Sequence, residues 1–156
     1  MRPDDIASVL EIERASQPSP WPAQLFLQEL ERDWAHVDLA WSASGHDGDA
    51  GSPAVVGFCN YWLVHDEVHL LNLATHPGWR RQGVATRLLR YLLDVGKERD
   101  CRFVTLEVRA SNRPARDLYQ RHGFEAVGLR PRYYAESGED AVVMTLELET
   151  GEPRSG

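Results

Sequence analysis

Residues 68–95, VHLLNLATHPGWRRQGVATRLLRYLLDV, pass from a strand pattern to a helix pattern through a single loop. Residues 68–75 are a nearly continuous apolar run, which is typical of a strand covered on both faces. From Val84 onward the apolar residues recur at helical spacing. An alternating apolar pattern at residues 102–109 then predicts a second strand. Together these patterns predict a β-α-β unit with a right-handed crossover.

The rest of the chain divides into short helices and strands by the same reasoning. Helices are predicted at residues 3–14, at residues 23–32, and after Asn112, which is expected to be an N-cap. Strands are predicted at four further places, residues 37–43, 54–64, 125–130 and 141–147. Glycine, proline and acidic residues predict loops at GHDGDAGSP, residues 45–53, and at PRYYAESGED, residues 131–140. The sequence therefore predicts one α/β domain over residues 1–149 and a disordered tail at 150–156.

Charge and hydropathy exclude several classes of function. The formal net charge is −7, which argues against broad binding to nucleic acid through phosphate contacts and favours basic partners. The N-terminal segment lacks a basic region followed by an apolar core, and no apolar run reaches the length of a membrane span. We therefore expect a cytoplasmic protein with no membrane association.

The cysteines and histidines do not form a recognisable metal or disulfide pattern. Cys59 and Cys101 lack CxxC spacing and are expected to be small, buried and reduced. His65 and His69 are four residues apart, but the intervening DEV indicates a turn and a strand instead of a zinc-binding helix. We expect no bound metal.

The loop after residue 75 has the features of an anion site. A loop that leaves the C-terminal end of a strand and opens a helix presents unpaired backbone N–H groups and a positive helix dipole. Gly83 permits close approach of the backbone, and Arg80 and Arg81 add positive charge. A surface turn with solvated arginines fits the same residues, so this physics leaves both interpretations open. The absence of GK[ST] and GxGxxG disfavours a P-loop or a Rossmann site.

The residues around this loop resemble a known family. Arg80-x-x-Gly83-x-Ala85 is similar to the [RQ]xxGx[GA] loop of the Gcn5-related N-acetyltransferases (GNAT). The segments DEVHLLNLATHPGWRRQGVATRLL, LEVRASNRPARDLYQRHGF and GLRPRYYAESGEDAVVM resemble consecutive segments of the bacterial ribosomal-protein-S18 alanine N-acetyltransferases within that family. PWPAQLFLQEL also looks like that group, whereas GHDGDAGSP looks like an insertion.

The resemblance implies a fold and a co-substrate. The fold would be a mixed, mostly antiparallel sheet with a central parallel pair splayed around acetyl-CoA and helices on both faces. Backbone amides would surround the pyrophosphate of acetyl-CoA, namely those of Arg81, Gln82, Gly83, Val84, Ala85 and Thr86. Leu73, Ala74 and Thr75 would line the pantetheine arm, and Asn112 would contact the same cofactor. Strand packing and helix capping are alternative roles for these four residues.

Two side chains are expected to carry the proton transfers. Glu107 lies in an apolar strand, where desolvation is expected to raise its pKa, although it could instead face solvent or pair with Arg109. The resemblance places Glu107 at the general base. The helical spacing of Tyr119 fits a core-packing residue, whereas the resemblance places it at the general acid. Acetyl transfer would then proceed by direct attack of an amine on the thioester.

The acceptor is expected to be a protein N-terminus. An α-amine has a pKa near 8 and lysine one near 10.4, so the α-amine is easier to deprotonate. The resemblance implies the N-terminal alanine of ribosomal protein S18, a small basic protein, as substrate. Trp21 and Tyr134 are the expected substrate contacts, whereas the acidic cluster Glu136, Glu139 and Asp140 is expected to be solvated. A small-molecule amine or a lysine as acceptor, or a non-catalytic acetyl-CoA-binding module, are the alternatives.

Overall fold

The computed structural model describes residues 1–43 and 53–149. The predicted loop at 45–53, apart from Pro53, and the predicted tail at 150–156 lie outside the described residues. In the described part of the chain, no helix has both the length and the apolar character needed to cross a membrane.

In residues 1–43 and 53–149, four α-helices and six strands follow one another in the order that the sequence predicts. The helices are α1 (Ile6–Ser16), α2 (Ala23–Leu30), α3 (Val84–Glu98) and α4 (Arg113–Arg121). The strands are β1 (Ala35–Trp41), β2 (Val55–Val64), β3 (Glu67–Thr75), β4 (Phe103–Arg109), β5 (Glu125–Tyr134) and β6 (Glu139–Glu147). Short 3-10 helices cover Pro3–Asp5 and Pro77–Trp79.

The strands form one mixed sheet in the order β1-β2-β3-β4-β6-β5. β1 pairs with β2, β4 with β6, and β5 with β6 in antiparallel register. β3 and β4 are parallel and pair between residues 67–70 and residues 103–106, a register shorter than either strand. A mixed, mostly antiparallel sheet with a central parallel pair was expected, and this prediction is confirmed.

The chain divides into two compact units, of which the first comprises residues 72–92 and the described part of residues 1–62. Its core contains the fully buried rings of Phe26 and Phe58, which meet edge to face with their centroids 5.7 Å apart. Burying such a ring stabilises the fold by about 1.5–3 kcal/mol. Gly57 lets α3 approach β2, since a Cβ there would lie 2.8 Å from Cγ1 of Val84 and 2.9 Å from the carbonyl oxygen of Ala74.

The second unit comprises residues 63–71 and the described residues from Leu93 onward. On β4, Val104, Leu106 and Val108 are buried, whereas the residues between them are only partly buried. This confirms the predicted alternation and leaves Glu107 on the opposite face from that core. A Cβ at Gly96 would lie 2.8 Å from Cδ1 of Leu148, so α3 packs closely against Leu148 at this glycine.

Both cysteines are free and buried, as predicted. Cys59 lies in β2 with no exposed surface, and Cys101 precedes β4 and is 2% exposed. Burial raises the pKa of Cys59 to about 12 and also raises the pKa of Cys101. Both thiols are therefore protonated and unreactive at neutral pH.

The loop predicted at residues 131–140 is shorter than expected and covers only residues 135–138, because the strands on either side of it are longer. β5 continues to Tyr134, which pairs with Glu139 at the start of β6. Pro131 suggested a break in the strand, but β5 is the last strand of the sheet, and an edge strand tolerates a proline. The register shifts between Arg130 and Tyr134, where Arg132 adopts a φ of 52°. Tyr134 therefore lies at the end of a strand instead of in a loop.

Candidate active site

The loop between β3 and α3 begins with a short 3-10 turn. The backbone N–H of His76 donates to the carbonyl oxygen of Val56 at 2.8 Å, and its Nδ1 accepts from the N–H of Gly78 at 3.0 Å. The 3-10 helix Pro77–Trp79 follows, and residues 80–83 turn the chain into α3. The predicted order of strand, loop and helix is confirmed.

The backbone of this loop is shaped as the anion hypothesis requires. Arg81 and Gly83 adopt left-handed φ values of 63° and 81°. A non-glycine residue in that region costs about 1–2 kcal/mol, and such strain is concentrated at functional sites. The first helical bond runs from the N–H of Arg87 to the carbonyl oxygen of Gly83 at 3.0 Å, so the amides of residues 84–86 precede the hydrogen-bonded part of α3. A Cβ built on Gly83 meets no atom within 4 Å, so the backbone here is open to a ligand.

Two side chains of the loop form hydrogen bonds to backbone carbonyl oxygens and so hold the loop in place. Nη2 of Arg80 donates to the carbonyl oxygen of Ala15 at 3.3 Å, and Nε2 of Gln82 donates to that of Gly78 at 3.4 Å. Anion binding by this loop would therefore depend mainly on backbone amides.

The strand and helix residues expected near the cofactor have clear structural roles. Ala74 is 4% exposed and belongs to the core of the first unit, whereas Leu73 and Thr75 are half-buried. Oδ1 of Asn112 accepts from the backbone N–H of Ala115 at 3.2 Å, which confirms the predicted N-cap of α4. Asn112 is itself exposed. The structure thus shows the packing of Ala74 and the capping by Asn112, and the cofactor contacts that the resemblance implies for these residues stay a prediction.

The carboxylate of Glu107 is held by residues from two other strands. Nε2 of His69 donates to Oε2 at 2.8 Å, and Nε of Arg130 lies 3.5 Å from Oε1. The side chain of Glu107 is 12% exposed. The hydrogen bond from His69 lowers the pKa of Glu107, burial opposes this effect, and the charges of His69 and Arg130 lower the pKa further.

These contacts correct two sequence-based expectations about Glu107. Its pKa is lowered, not raised, because the partners that stabilise the carboxylate outweigh the desolvation of a partly exposed group. The suggested pairing with Arg109 is also wrong. Arg109 instead forms ion pairs with Glu136, in the turn between β5 and β6, and with Glu139, the first residue of β6.

The acidic residues Glu136, Glu139 and Asp140 are not merely solvated, because each is bonded to a neighbouring group. Besides the ion pairs to Arg109, Oε1 of Glu139 accepts from the backbone N–H of Ser111 at 2.7 Å. Oδ1 of Asp140 accepts from the backbone N–H of Arg132 at 2.9 Å. The cluster therefore holds the end of β4 and the hairpin of β5 and β6 in place.

Tyr134 is fixed by the same arrangement. The guanidinium of Arg109 lies over its ring, with Cζ 3.9 Å from the centroid, a cation–π contact. Burial raises the pKa of the Tyr134 hydroxyl, the charge of Arg109 lowers it, and the charges of Tyr133 and Glu107 raise it. Tyr134 and the Glu107 carboxylate thus lie within electrostatic reach of each other.

Tyr119 and Trp21 both pack against aromatic neighbours. Tyr119 is 7% exposed, and its ring centroid lies 5.5 Å from that of Phe124. The core-packing role that its spacing predicts is confirmed. Trp21 lies between α1 and α2 and is half-buried, with its ring centroid 5.3 Å from that of Phe26. Its position at the edge of the core agrees with the structural alternative for this residue.

Several polar residues of the site were missed by sequence reasoning. The carboxylate of Glu13 is 1% exposed and accepts from the backbone N–H of Trp21 at 2.9 Å and from Nδ2 of Asn72 at 2.5 Å. Burial raises the pKa of Glu13, and the hydrogen bonds from Trp21 and Asn72 oppose this effect only in part. On a helix this glutamate resembles any solvent-facing charge, so only the tertiary contact identifies it. His69 was considered only as a metal ligand, although its position on β3 opposite β4 could have suggested a partner for Glu107.

Among the residues that the structure describes, no three His, Cys, Asp or Glu side chains come together in a group that could bind a metal ion. His65 lies in the turn between β2 and β3, and His69 lies on β3, which confirms the predicted turn and strand.

Comparison with known proteins agrees with this geometry. The model of the acetyltransferase (GNAT) family matches residues 6–124. A candidate ribosomal-protein-bS18-alanine N-acetyltransferase of Bacillus subtilis (strain 168) is 39% identical over 95% of this chain and 93% of its own length. The ribosomal-protein-bS18-alanine N-acetyltransferase of Escherichia coli (strain K12) is 30% identical over 92% of both chains.

A solved structure confirms the fold assignment. The crystal structure of the ribosomal-protein-S18-alanine N-acetyltransferase from Escherichia coli superposes on all of this chain and on 96% of that chain. The TM-score is 0.83 at 27% sequence identity. The resemblance that begins with Arg80 and Gly83 is thus confirmed along most of the sequence. The chain belongs to the acetyltransferase (GNAT) family.

Proposed function

We propose that this protein transfers the acetyl group of acetyl-CoA to the N-terminal α-amine of a protein, specifically the N-terminal alanine of ribosomal protein S18. The observation that carries the proposal is the carboxylate of Glu107, held in place by His69 and Arg130 on a strand of a GNAT fold. The choice of substrate is supported by the relatives from Bacillus subtilis and Escherichia coli, whose names give that activity. These relatives align with both compact units, so we propose that residues 1–149 act as one domain.

The cofactor would be held by the loop before α3. The open, left-handed backbone at Gly83 allows a pyrophosphate to approach the amides, and the positive end of the helix dipole adds to their attraction. We assign the pyrophosphate to the amides of Arg81, Gln82, Gly83, Val84, Ala85 and Thr86. Leu73, Ala74 and Thr75 would line the pantetheine arm, and the Nδ2 group of Asn112 would contact the same molecule while its Oδ1 caps α4.

The chemistry needs one proton acceptor and one proton donor. The substrate arrives mainly as an ammonium ion and must lose a proton, which Glu107 accepts directly or through a water. The neutral amine attacks the thioester carbonyl, the C–N bond forms, the nitrogen releases its second proton to water, and the C–S bond breaks. The hydroxyl of Tyr119 would then donate a proton to the departing thiolate.

The lowered pKa of Glu107 changes how this base contributes to the binding and deprotonation of the substrate amine. It keeps Glu107 ionised at neutral pH, so the carboxylate can bind an ammonium ion by charge before any proton moves. Direct proton transfer from an amine with a pKa near 8 to this carboxylate is uphill, and the lowered pKa of Glu107 makes it more so. This favours an α-amine over a lysine, whose higher pKa would make the step harder still.

Substrate binding would involve Trp21 and Tyr134, which the structure fixes through Glu13 and Arg109 respectively. The net charge of −7 would favour the approach of a basic ribosomal protein in a salt-dependent way. Such a substrate would be met in the cytoplasm, where we expect the protein to act, without direct contact with nucleic acid or membrane.

Mass spectrometry tests the proposal. The protein is incubated with acetyl-CoA and peptides that begin with Ala, Met or Ser, beside a peptide with a blocked N-terminus and an internal lysine. We expect addition of one acetyl group to the alanine peptide with the highest kcat/KM. Acetylation of the blocked peptide alone would indicate a lysine acetyltransferase, and no acetylation of any peptide would favour a small-molecule acceptor or a non-catalytic role.

A further inference from the structure

The two oxygens of the Glu107 carboxylate have unequal partners. His69 lies 2.8 Å from Oε2 and is 28% exposed, whereas Arg130 lies 3.5 Å from Oε1 and is 57% exposed. The inference below rests on the proposed function, since it concerns the place of the substrate amine at this carboxylate.

The contact with His69 is fixed by the sheet. His69 pairs with Thr105 in the parallel register of β3 and β4. Glu107 lies two residues further along β4 on the same face, a diagonal separation that long side chains can span. The 2.8 Å separation is that of a well-formed hydrogen bond to a charged acceptor. His69 therefore sets the direction in which the carboxylate points.

The contact with Arg130 is loose. A separation of 3.5 Å exceeds the usual range of 2.7–3.2 Å for N–H···O bonds. Arg130 also reaches Glu107 from β5, and β6 lies between β5 and β4 in the sheet, so its side chain must extend across an intervening strand. The Arg130 side chain is 57% exposed, although that of Glu107 is only 12% exposed, so water can solvate the guanidinium when it leaves the carboxylate. Arg130 can therefore leave Oε1 at small cost.

The substrate brings a second cation to the same carboxylate. An N-terminal ammonium carries the same charge as the guanidinium and needs an acceptor oxygen within hydrogen-bond distance if Glu107 is to take its proton. Oε2 already accepts a bond from His69 at 2.8 Å, whereas Oε1 has only the longer contact with Arg130, so Oε1 is the oxygen more open to a second cation.

We propose that Arg130 occupies the place of the substrate ammonium at Oε1 in the free protein and is displaced by it, while His69 remains on Oε2 as a positioning residue. The exchange replaces one positive charge by another, so the carboxylate is never left without a cation. Arg130 then acts as an internal competitor that weakens the binding of the acceptor.

Steady-state kinetics with an alanine-initiated peptide tests the role of Arg130. Removal of the competitor in Arg130→Gln should lower the KM for the peptide by roughly 2- to 5-fold, which matches the small contribution of an exposed ion pair. The matched control is Arg132→Gln, two residues along β5, which causes the same change in net charge and should leave this KM unchanged. A KM that rises in Arg130→Gln, or that changes equally in both variants, would overturn the proposal.

A second peptide separates displacement from other effects of Arg130. A peptide with lactyl in place of the N-terminal alanyl group has a hydroxyl instead of the ammonium, and it serves as a competitive inhibitor. Its inhibition constant should be the same for the unaltered protein and Arg130→Gln. An equal gain in affinity for the lactyl peptide would show that Arg130 affects the peptide elsewhere.

The role of His69 is tested by a pair of variants. His69→Leu removes the donor and should lower kcat by roughly 10- to 100-fold through misplacement of the carboxylate, with an unchanged dissociation constant for acetyl-CoA. His69→Gln retains an N–H at a similar position and should restore most of kcat. Equally low kcat in both variants would show that the imidazole is needed for itself and would overturn the positioning role. If the unaltered protein acetylates no N-terminal amine, the proposed function fails instead.

Discussion

Replacement of Gly83 by alanine tests the cofactor assignment most specifically. Gly83 adopts a φ of 81°, where an added Cβ costs about 1–2 kcal/mol. That cost predicts a fall in Tm of roughly 2–8 °C in a protein of this size. The added methyl group would also project into the open space above the loop amides. Loss of one charge-assisted hydrogen bond to the pyrophosphate costs about 1.5–3 kcal/mol, which raises the Kd for acetyl-CoA by roughly 10- to 150-fold.

Gly138 provides a matched control for this substitution. It adopts a φ of 69°, and a Cβ there likewise meets no atom within 4 Å, but it lies in the turn between β5 and β6. Gly138→Ala should therefore lower the Tm by a similar amount and leave the Kd for acetyl-CoA unchanged in isothermal titration calorimetry. Gly83→Ala with an unchanged Kd, or an equal rise of Kd in both variants, would refute the assignment of the pyrophosphate to this loop.

Three further predictions concern the acid, the base and the helix cap. Glu107→Gln and Tyr119→Phe should each lower kcat by roughly 10²- to 10⁴-fold and spare acetyl-CoA binding; near-normal turnover in either variant removes that residue from the mechanism. Because the folded state lowers the pKa of Glu107, its ionised form stabilises the protein above the unfolded pKa near 4.3, and this contribution is lost as the pH falls through the folded pKa. The difference in unfolding free energy between the unaltered protein and Glu107→Gln should therefore shrink from about pH 5 downward, and a growing difference would contradict the lowered pKa. Asn112→Ala removes the cap of α4 and should cost about 1 kcal/mol, or roughly 2–4 °C in Tm; an unchanged Tm in thermal unfolding would show that the bond to Ala115 contributes nothing.

Elements whose signals are local were predictable from the sequence. The apolar run of β3, the glycine loop and the helical periodicity of α3 each depend on neighbouring residues, and the structure confirms all three. The cap at Asn112 is likewise local, because its side chain bonds a backbone N–H only three residues away. The extent of β5 was missed because Pro131 normally ends a strand, and its tolerance depends on a place at the edge of the sheet that the local sequence does not reveal.

The surroundings of Glu107 were not predictable, because they depend on strands distant in sequence. His69 is 38 residues away along the chain, and Arg130 lies on the far side of β6. Without these partners, an apolar strand suggests a raised pKa, which is the opposite of what the structure gives. The ion pairs of Arg109 with Glu136 and Glu139 also join residues that are distant in sequence. They were missed because a run of charges in a predicted loop usually faces solvent.

Acetylation of an N-terminal α-amine can be measured with one peptide that has both a free N-terminal alanine and an internal lysine. The peptide is incubated with the protein and isotope-labelled acetyl-CoA, and tandem mass spectrometry locates the label. Glu107→Gln serves as the control for uncatalysed acetylation. We expect label on the alanine α-amine alone, at a rate that depends on Glu107. Label on the lysine alone, or equal labelling with the unaltered protein and Glu107→Gln, would contradict it.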